Sequence, residues 1–462
     1  MKSVRIGGGL GFYGDSYAPV VEMLAQGGVQ YVGFDHLAEL TLAILQKDRE
    51  RDPRLGFARD VVPLMREVLP LAKARGVRLI SNAGGLNPHS AARAVAELAQ
   101  ALSLDVAIGV VLGDDVSHRI GEVAWDGVLA AEGRVGPIAF ASAYLGALPV
   151  KRALSLGADI VLTGRVADSA LFLGALAHAF DWPLPGEATA GQPDWDLLAA
   201  GSVAGHLLEC SGQVAGGNHS GEWSSIPDLD RIGYPIAKVD EEGSLQVTKA
   251  PGSGGRVSFD SVREQLLYEV HDPSRYYTPD VTVDLTEVGI AAAGPDLVSV
   301  HGVRGRPPLE TYKILGGYAA GYLGQGMIGY SWPNALEKAR AAAEILRRQA
   351  AARGLPTTQM QEEYLGLDSF HGPLADLSHA DELNEVYLRM AMRSEDRQAA
   401  EAFARLFPPL ALNGPPTASG FIGIDRVRQL FAARAGSLPH AAVDADVMVR
   451  VAPAAAYVAE TT

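Results

Sequence analysis

Of 462 residues only one, Cys210, is a cysteine. An internal disulfide framework, a thiolate zinc finger and an iron–sulfur cluster each need several thiols, so all three are excluded. Positive charge is also short: 39 Lys and Arg stand against 54 Asp and Glu, a formal net charge of −15. Nucleic acids and anionic membrane surfaces are bound through a basic footprint, so neither is an expected partner. No apolar run reaches the ~18–20 residues of a membrane span. The opening MKSVRIGGGLG holds no apolar core of a secretory signal. A cytoplasmic protein without membrane contact is therefore expected, and the Asn-x-Ser sequon at Asn218 carries no weight, because glycosylation needs secretion. His-Glu-x-x-His, a Cys/His cluster and Gly-x-Ser-x-Gly are missing too, which removes metalloprotease and α/β-hydrolase readings.

What is present is globular: 48% of residues are apolar and 20% charged. At roughly 100–200 residues per domain, the length predicts two or three domains. Glycine is in excess, 52 residues against roughly 32 at an average usage of about 7%. The excess falls in short clusters between strand and helix patterns, as it does where backbone turns tightly or approaches a ligand.

The first half alternates the two patterns. Strands are predicted at 3–6, 30–34, 77–81, 106–112 and 160–162, and helices at 19–26, 62–75, 90–102, 149–156 and on to 180. Such alternation implies a parallel sheet covered by helices, with the loops after the strands gathered along one edge. After Trp223 short strands separated by turns follow (236–239, 245–248, 281–284, 297–302, 311–318), then a helix over 334–353, an irregular stretch 354–382, and a closing strand, helix and strand. The fold class is thus α/β: an N-terminal parallel-sheet, Rossmann-like domain over 1–228, followed by a smaller α+β domain over 229–462 that closes the cleft.

Gly9-Leu10-Gly11-Phe12-Tyr13-Gly14 satisfies the dinucleotide pattern Gly-x-Gly-x-x-Gly, and Asp35 ends the next strand, 21 positions after Gly14. Asp15 follows the last glycine directly. There it is expected to cap the helix and to place a carboxylate where a pyrophosphate would sit. A glycine turn lining some other pocket fits these residues better than NAD binding, and no cofactor is expected.

The ordered segments IGGGLGFYGDS, SNAGGLNP, GDDV, TGRVADSALFLG, HLLECSGQVAGGN, GYPIAKV and TKAPGSGGRVS make the chain resemble the acyclic terpene utilisation (AtuA-like) family over essentially its whole length. The resemblance implies the company of enzymes that degrade branched, unsaturated acids as acyl-CoA thioesters. Longer members carry a C-terminal ferredoxin-like domain, before which this chain is expected to stop.

The polar loops that should converge at the sheet edge supply candidate site residues. Asp15, Asp168 and Glu209 are candidate acid–base groups. Gly9, Gly11, Asn82, Gly84, Gly85, Asn87, Thr163, Gly164, Arg165, Gln213, Gly216 and Gly217 are candidate substrate binders, with Arg165 able to hold an oxyanion bidentately. Lys249, Gly254 and Gly255 form an anion nest beside Arg256, expected to close over residues 163–169. The plainer readings are a helix cap for Asp15 and Asp168, a salt bridge for Arg165, and a solvated turn for the nest. Glu209 and Gln213 are expected to share a helix face. Cys210 reads as buried and inert near a helix C-terminus, and His219 as a polar hydrogen-bonder with a lesser claim to acid–base work. Asp114 and Asp115 could hold Mg²⁺, although no metal is expected.

Together these features predict an enzyme of small organic acid or acyl-CoA catabolism, a hydratase or other lyase using acid–base chemistry, acting as a homo-oligomer. The alternatives are an NAD-dependent oxidoreductase built on the GLGFYG turn, and a non-catalytic subunit that binds acyl-CoA or a partner.

Overall fold

The computed structural model describes residues 2–126, 137–187, 191–357, 359–423 and 427–460. The chain divides into two compact units. The larger holds the described residues of Met1–Val128, Ile138–Gly317 and Ala433–Thr462, the smaller those of Leu129–Pro137 and Tyr318–Ala432.

At the centre of the larger unit lie five parallel strands, in the order Ser3–Leu10, Tyr31–Phe34, Arg78–Ser81, Ile160–Thr163 and Ala107–Leu112. Their side chains alternate between two cores, as strand geometry requires. Leu79, Ile160 and Leu162 pack with helices Ala18–Gln26, Val61–Arg75 and Pro88–Ala101. Ile80 and Val161 pack with Leu148–Ser155, Ala170–Phe180 and Trp195–Leu208. The result is a sheet covered by helices on both faces. Because the strands are parallel, the loops after Leu10, Ser81, Leu112 and Thr163 all emerge at one edge.

The sheet as a whole is mixed, not parallel. Pro235–Asp240 runs antiparallel to Ser3–Leu10, and Leu245–Lys249, Leu297–His301 and Gly289–Gly294 continue the antiparallel run; Met448–Pro453 pairs antiparallel with Ala107–Leu112 at the other side. Strands joined by a short turn run antiparallel to each other, so the hairpin over 235–249 makes the extended sheet mixed whichever way it docks. The compact units accordingly do not divide at 228/229, since a boundary there would separate the first strand from its neighbour.

Two local expectations are also corrected. The first strand continues through the glycine run to Leu10 because nothing larger fits there: a Cβ on Gly8 would lie 2.2 Å from the Leu208 carbonyl oxygen, and one on Gly9 2.4 Å from the Phe34 ring. The stretch 354–382 contains a strand, Met360–Leu365. That strand belongs to the smaller unit, where it pairs antiparallel with Glu385–Ser394. Glu385–Ser394 in turn pairs with residues 322–331 of the long strand Thr311–Ser331. Helix Ala335–Ala352 covers this sheet through Leu336, Ala339, Ala343 and Leu346.

Candidate functional site

A cavity of about 930 Å³ opens in the larger unit at the carboxyl ends of the parallel strands. Gly11 follows the first strand, Asp35 the second, and Arg165 and Asp168 the fourth; Glu209, Cys210 and Gln213 arrive from the end of helix Trp195–Leu208. Gly11 is needed for that approach, since a Cβ there would sit 3.1 Å from Cys210 backbone atoms and the Glu209 carbonyl. The glycine-rich segment thus brings two strand and helix ends together at one wall.

Asp15 lines the cavity but does not cap a helix. The helix starts at Ala18, with Tyr17 at its N-cap and no side-chain cap bond. The Asp15 carboxylate instead accepts hydrogen bonds from Gly11 N (3.1 Å), Ser16 N (2.7 Å) and the Tyr234 hydroxyl (2.9 Å). It ties the turn to the segment before Pro235. Asp168 is not a cap either, since Ser169 holds that position.

The floor is a dense charge cluster. Arg165, 2% exposed, donates from Nη1 to the Leu37 carbonyl and from Nη2 to Asp168 Oδ1 (2.6 Å), and its guanidinium lies 4.0 Å from the centre of the Tyr144 ring. The salt bridge expected as the plainer reading is present, yet Arg165 Nε has no hydrogen-bond partner. Glu209, 5% exposed, pairs through Oε1 with His206 Nδ1 at 3.0 Å, while Oε2 is unpartnered. Burial above all, with the charges of Asp168 and Glu269, pushes Glu209 up to about 7 against the pull of His206. Burial and Asp168 likewise hold Asp35 well above the usual carboxylate range. The pKa of His206 is raised: burial opposes its charge, and Glu209 favours it more. Two buried carboxyl groups, Asp35 and Glu209, therefore share with the Arg165 guanidinium a space too dry for both to ionise independently.

The remaining candidates fall into two groups. Gln213 and Gly217 line the cavity with Glu209, although the helix ends at Leu208 and residues 211–215 form a 3-10 turn, so no helix face is shared. Gly216, with φ +98°, ends that turn. The others sit behind the wall. Asn82 is fully buried and holds Asp35 by a 2.5 Å bond from its amide. Asn87 caps helix Pro88–Ala101. Gly84 meets the Thr163 carbonyl, Gly85 turns the loop at φ +53°, and Thr163 bonds the Gly164 carbonyl. A Cβ on Gly164 would strike Asp114, whose carboxylate accepts from Arg165 N at 2.8 Å. Gly9 is packed inside the sheet.

The second-half nest departs furthest from expectation. Lys249 donates to the Ser253 carbonyl (2.6 Å), pairs with Asp296 (3.2 Å), and is not among the cavity's lining residues. Gly254 and Gly255 pack on residues 227–232 instead of on 163–169: Gly254 N donates to the Arg231 carbonyl and Gly255 N to that of Pro227. The nest thus braces the wall that Leu229–Ile232 give the cavity. His219 pairs with Glu264 at 2.5 Å, away from this cavity. Cys210 lines the cavity, and burial, with Glu209 nearby, pushes its thiol up, so it is not an activated nucleophile. Among the described residues no group of three or more His, Cys, Asp or Glu could hold a metal ion.

Sequence reasoning missed Tyr144, Glu39 and Lys313, which close one side. The Tyr144 hydroxyl donates to Glu39 (2.9 Å), and Lys313 pairs with the same carboxylate at 3.3 Å. Tyr144 follows a strand, Glu39 opens a helix and Lys313 sits within a strand, none of them in a loop that the strand–helix alternation sends to the sheet edge. Asp35 and His206 were legible only as a strand end and as a residue three before Glu209.

An α/β protein with a mixed, helix-covered sheet and an acid-rich cavity at its carboxyl edge is the class that fold and site define. Among the described residues no helix is long and apolar enough to cross a membrane. The family model described as acyclic terpene utilisation family protein AtuA matches residues 4–449, and the chain belongs to that family. Membership associates it with acyclic terpene utilisation. No curated protein and no solved structure matches the chain.

Proposed function

We propose that the protein is an acid–base enzyme, a hydratase or other lyase, acting on a small branched or unsaturated acid or its thioester. One observation carries this reading. Glu209 lines the cavity, is held near neutrality, and turns an unpartnered Oε2 away from its bond to His206. A general acid–base group works best with a pKa close to the working pH. Adding or removing water beside a carbonyl also needs a cation or donor for the developing oxyanion. The free Nε–H of Arg165 supplies one, with the ion pair to Asp168 and the Tyr144 ring fixing the guanidinium plane. In this reading Glu209 moves a proton at the carbon next to the carbonyl, His206 orients its carboxyl group, and Arg165 binds the carbonyl oxygen. Asp168 and Asp35 keep the pocket's protonation set. The substrate class draws on the family's association with acyclic terpene utilisation.

The test is proton exchange. The protein is incubated in D₂O with a panel of branched α,β-unsaturated and 3-hydroxy acids and their thioesters, and exchange at the carbon next to the carbonyl is followed by NMR. At least one member should exchange, and Glu209→Gln should slow that exchange by about 10²–10⁴-fold, the usual contribution of a positioned acid–base group. No exchange across the panel, or exchange indifferent to Glu209→Gln, overturns the reading.

A further inference from the structure

The turn that most resembles a phosphate loop already holds carboxylates. Gly11 N and Ser16 N donate to Asp15, and Gly14 N donates to Asp60 at 2.7 Å. Helix starts and glycine turns bind phosphate only through free backbone N–H groups. The cations of the cavity are engaged in the same way. Arg165 pairs with Asp168, Arg231 with Asp228 at 2.9 Å, and Lys313 with Glu39. Eight acidic side chains line the cavity against three basic ones, and Glu22, Asp230 and Glu269 are among the acidic ones. A ligand with several negative charges would meet cations already paired with carboxylates, and a repelling field. Arg165 Nε, buried and without a hydrogen-bond partner, matches a single carbonyl or carboxylate oxygen.

We infer that the cavity takes a small molecule that carries no phosphate and at most one negative charge, and that nucleotides and coenzyme A thioesters are kept out of it. This rests on the proposed substrate site and narrows its substrate to the free acid or a neutral derivative. The two alternatives that need a phosphate-bearing ligand here, NAD and acyl-CoA, are set aside by the same argument.

Cys210, the chain's sole cysteine, lines the cavity and allows a test that needs no turnover. Its thiolate attacks a methanethiosulfonate reagent at sulfur, giving a mixed disulfide and releasing methanesulfinate. Rates are compared for the cationic trimethylammonium-ethyl and the anionic sulfonatoethyl reagents, each normalised to glutathione. A second probe, Phe12→Cys in a Cys210→Ala background, places the thiol at a lining position that is 54% exposed, and its result decides if Cys210 itself reacts too slowly. The cationic reagent should react about tenfold faster or more, the scale on which a charged cleft concentrates counter-ions. Added salt should shrink the ratio, and the triple change Glu22→Gln, Asp230→Asn, Glu269→Gln should bring it toward one. Millimolar acetyl-coenzyme A, which has no free thiol to consume the reagent, should neither raise the melting temperature nor protect the thiol. An anionic reagent that reacts as fast as the cationic one, or stabilisation or protection by acetyl-coenzyme A, overturns the inference. A failed proton-exchange test leaves the reagent ratio untouched, so the two readings fail separately.

Discussion

Replacing Glu209 by Gln keeps its shape and its ability to accept a bond from His206, and removes one titration. In the folded protein burial holds the Glu209 proton until about pH 7, whereas the ordinary value is 4.5. Between those values the native state binds more protons than the unfolded chain, so stability falls as pH rises. Below about 4.5 both states are protonated and the contribution is whole. At 1.36 kcal/mol per unit, the loss across the window is at most about 3 kcal/mol, with no discount for solvent because the group is buried. His206 titrates together with Glu209, since its raised pKa rests on the Glu209 charge, and it adds no second, independent slope. In the variant, burial alone acts on His206 and favours neutral imidazole. Asp114 and Asp280 are also pushed up to about 7 by burial, and their slopes cancel in the difference between wild type and variant. Urea unfolding of both proteins, followed by tryptophan fluorescence at steps from about pH 4.5 to about pH 7.5, measures that difference. The variant should gain on the wild type steadily across the window. Parallel curves would refute the reasoning, because Glu209 would then titrate at its ordinary value and have no claim to acid–base work near neutrality.

Arg165→Met removes the buried cation from among Asp35, Asp168 and Glu209 and should cost about 3 kcal/mol in chemical unfolding, the lower end for breaking a buried ion pair, because Asp168 is partly exposed; a loss below about 1 kcal/mol would mean the carboxyl groups simply take up protons. Gly8→Ala pushes a Cβ into the Leu208 carbonyl and should destabilise by about 1–3 kcal/mol while shifting Glu209, whereas Gly121→Ala, with nothing within 4 Å, should be silent. Equal melting temperatures for the two alanine variants would contradict the close contact between strand and helix end.

The alternation of strand and helix in the first half was legible because each element carries its own period: two residues for Leu79 and Ile80 facing opposite cores, three to four for Val61–Arg75. Parallel pairing followed, since a helix between two strands forces a crossover, and with it the gathering of the loops at one edge. Arg165, Asp168 and Glu209 were legible as polar residues in those loops, and the AtuA-type motifs set the family. Which neighbour a hairpin chooses is not a local property. Nothing in 235–249 says that it will extend the first sheet, because the free edge of Ser3–Leu10 exists only once the sheet has formed. The same holds for the site. Lys249 looks like an anion ligand until Asp296 and the Ser253 carbonyl claim it, and Asp15 looks like a helix cap until the turn folds back onto it. Charge, periodicity and glycine placement are written residue by residue in the sequence. Burial, which raises Glu209 and Asp35, and pairings such as Lys249 with Asp296, Gly14 with Asp60 and Lys313 with Glu39 join residues tens to hundreds of positions apart, so the tertiary structure alone decided them.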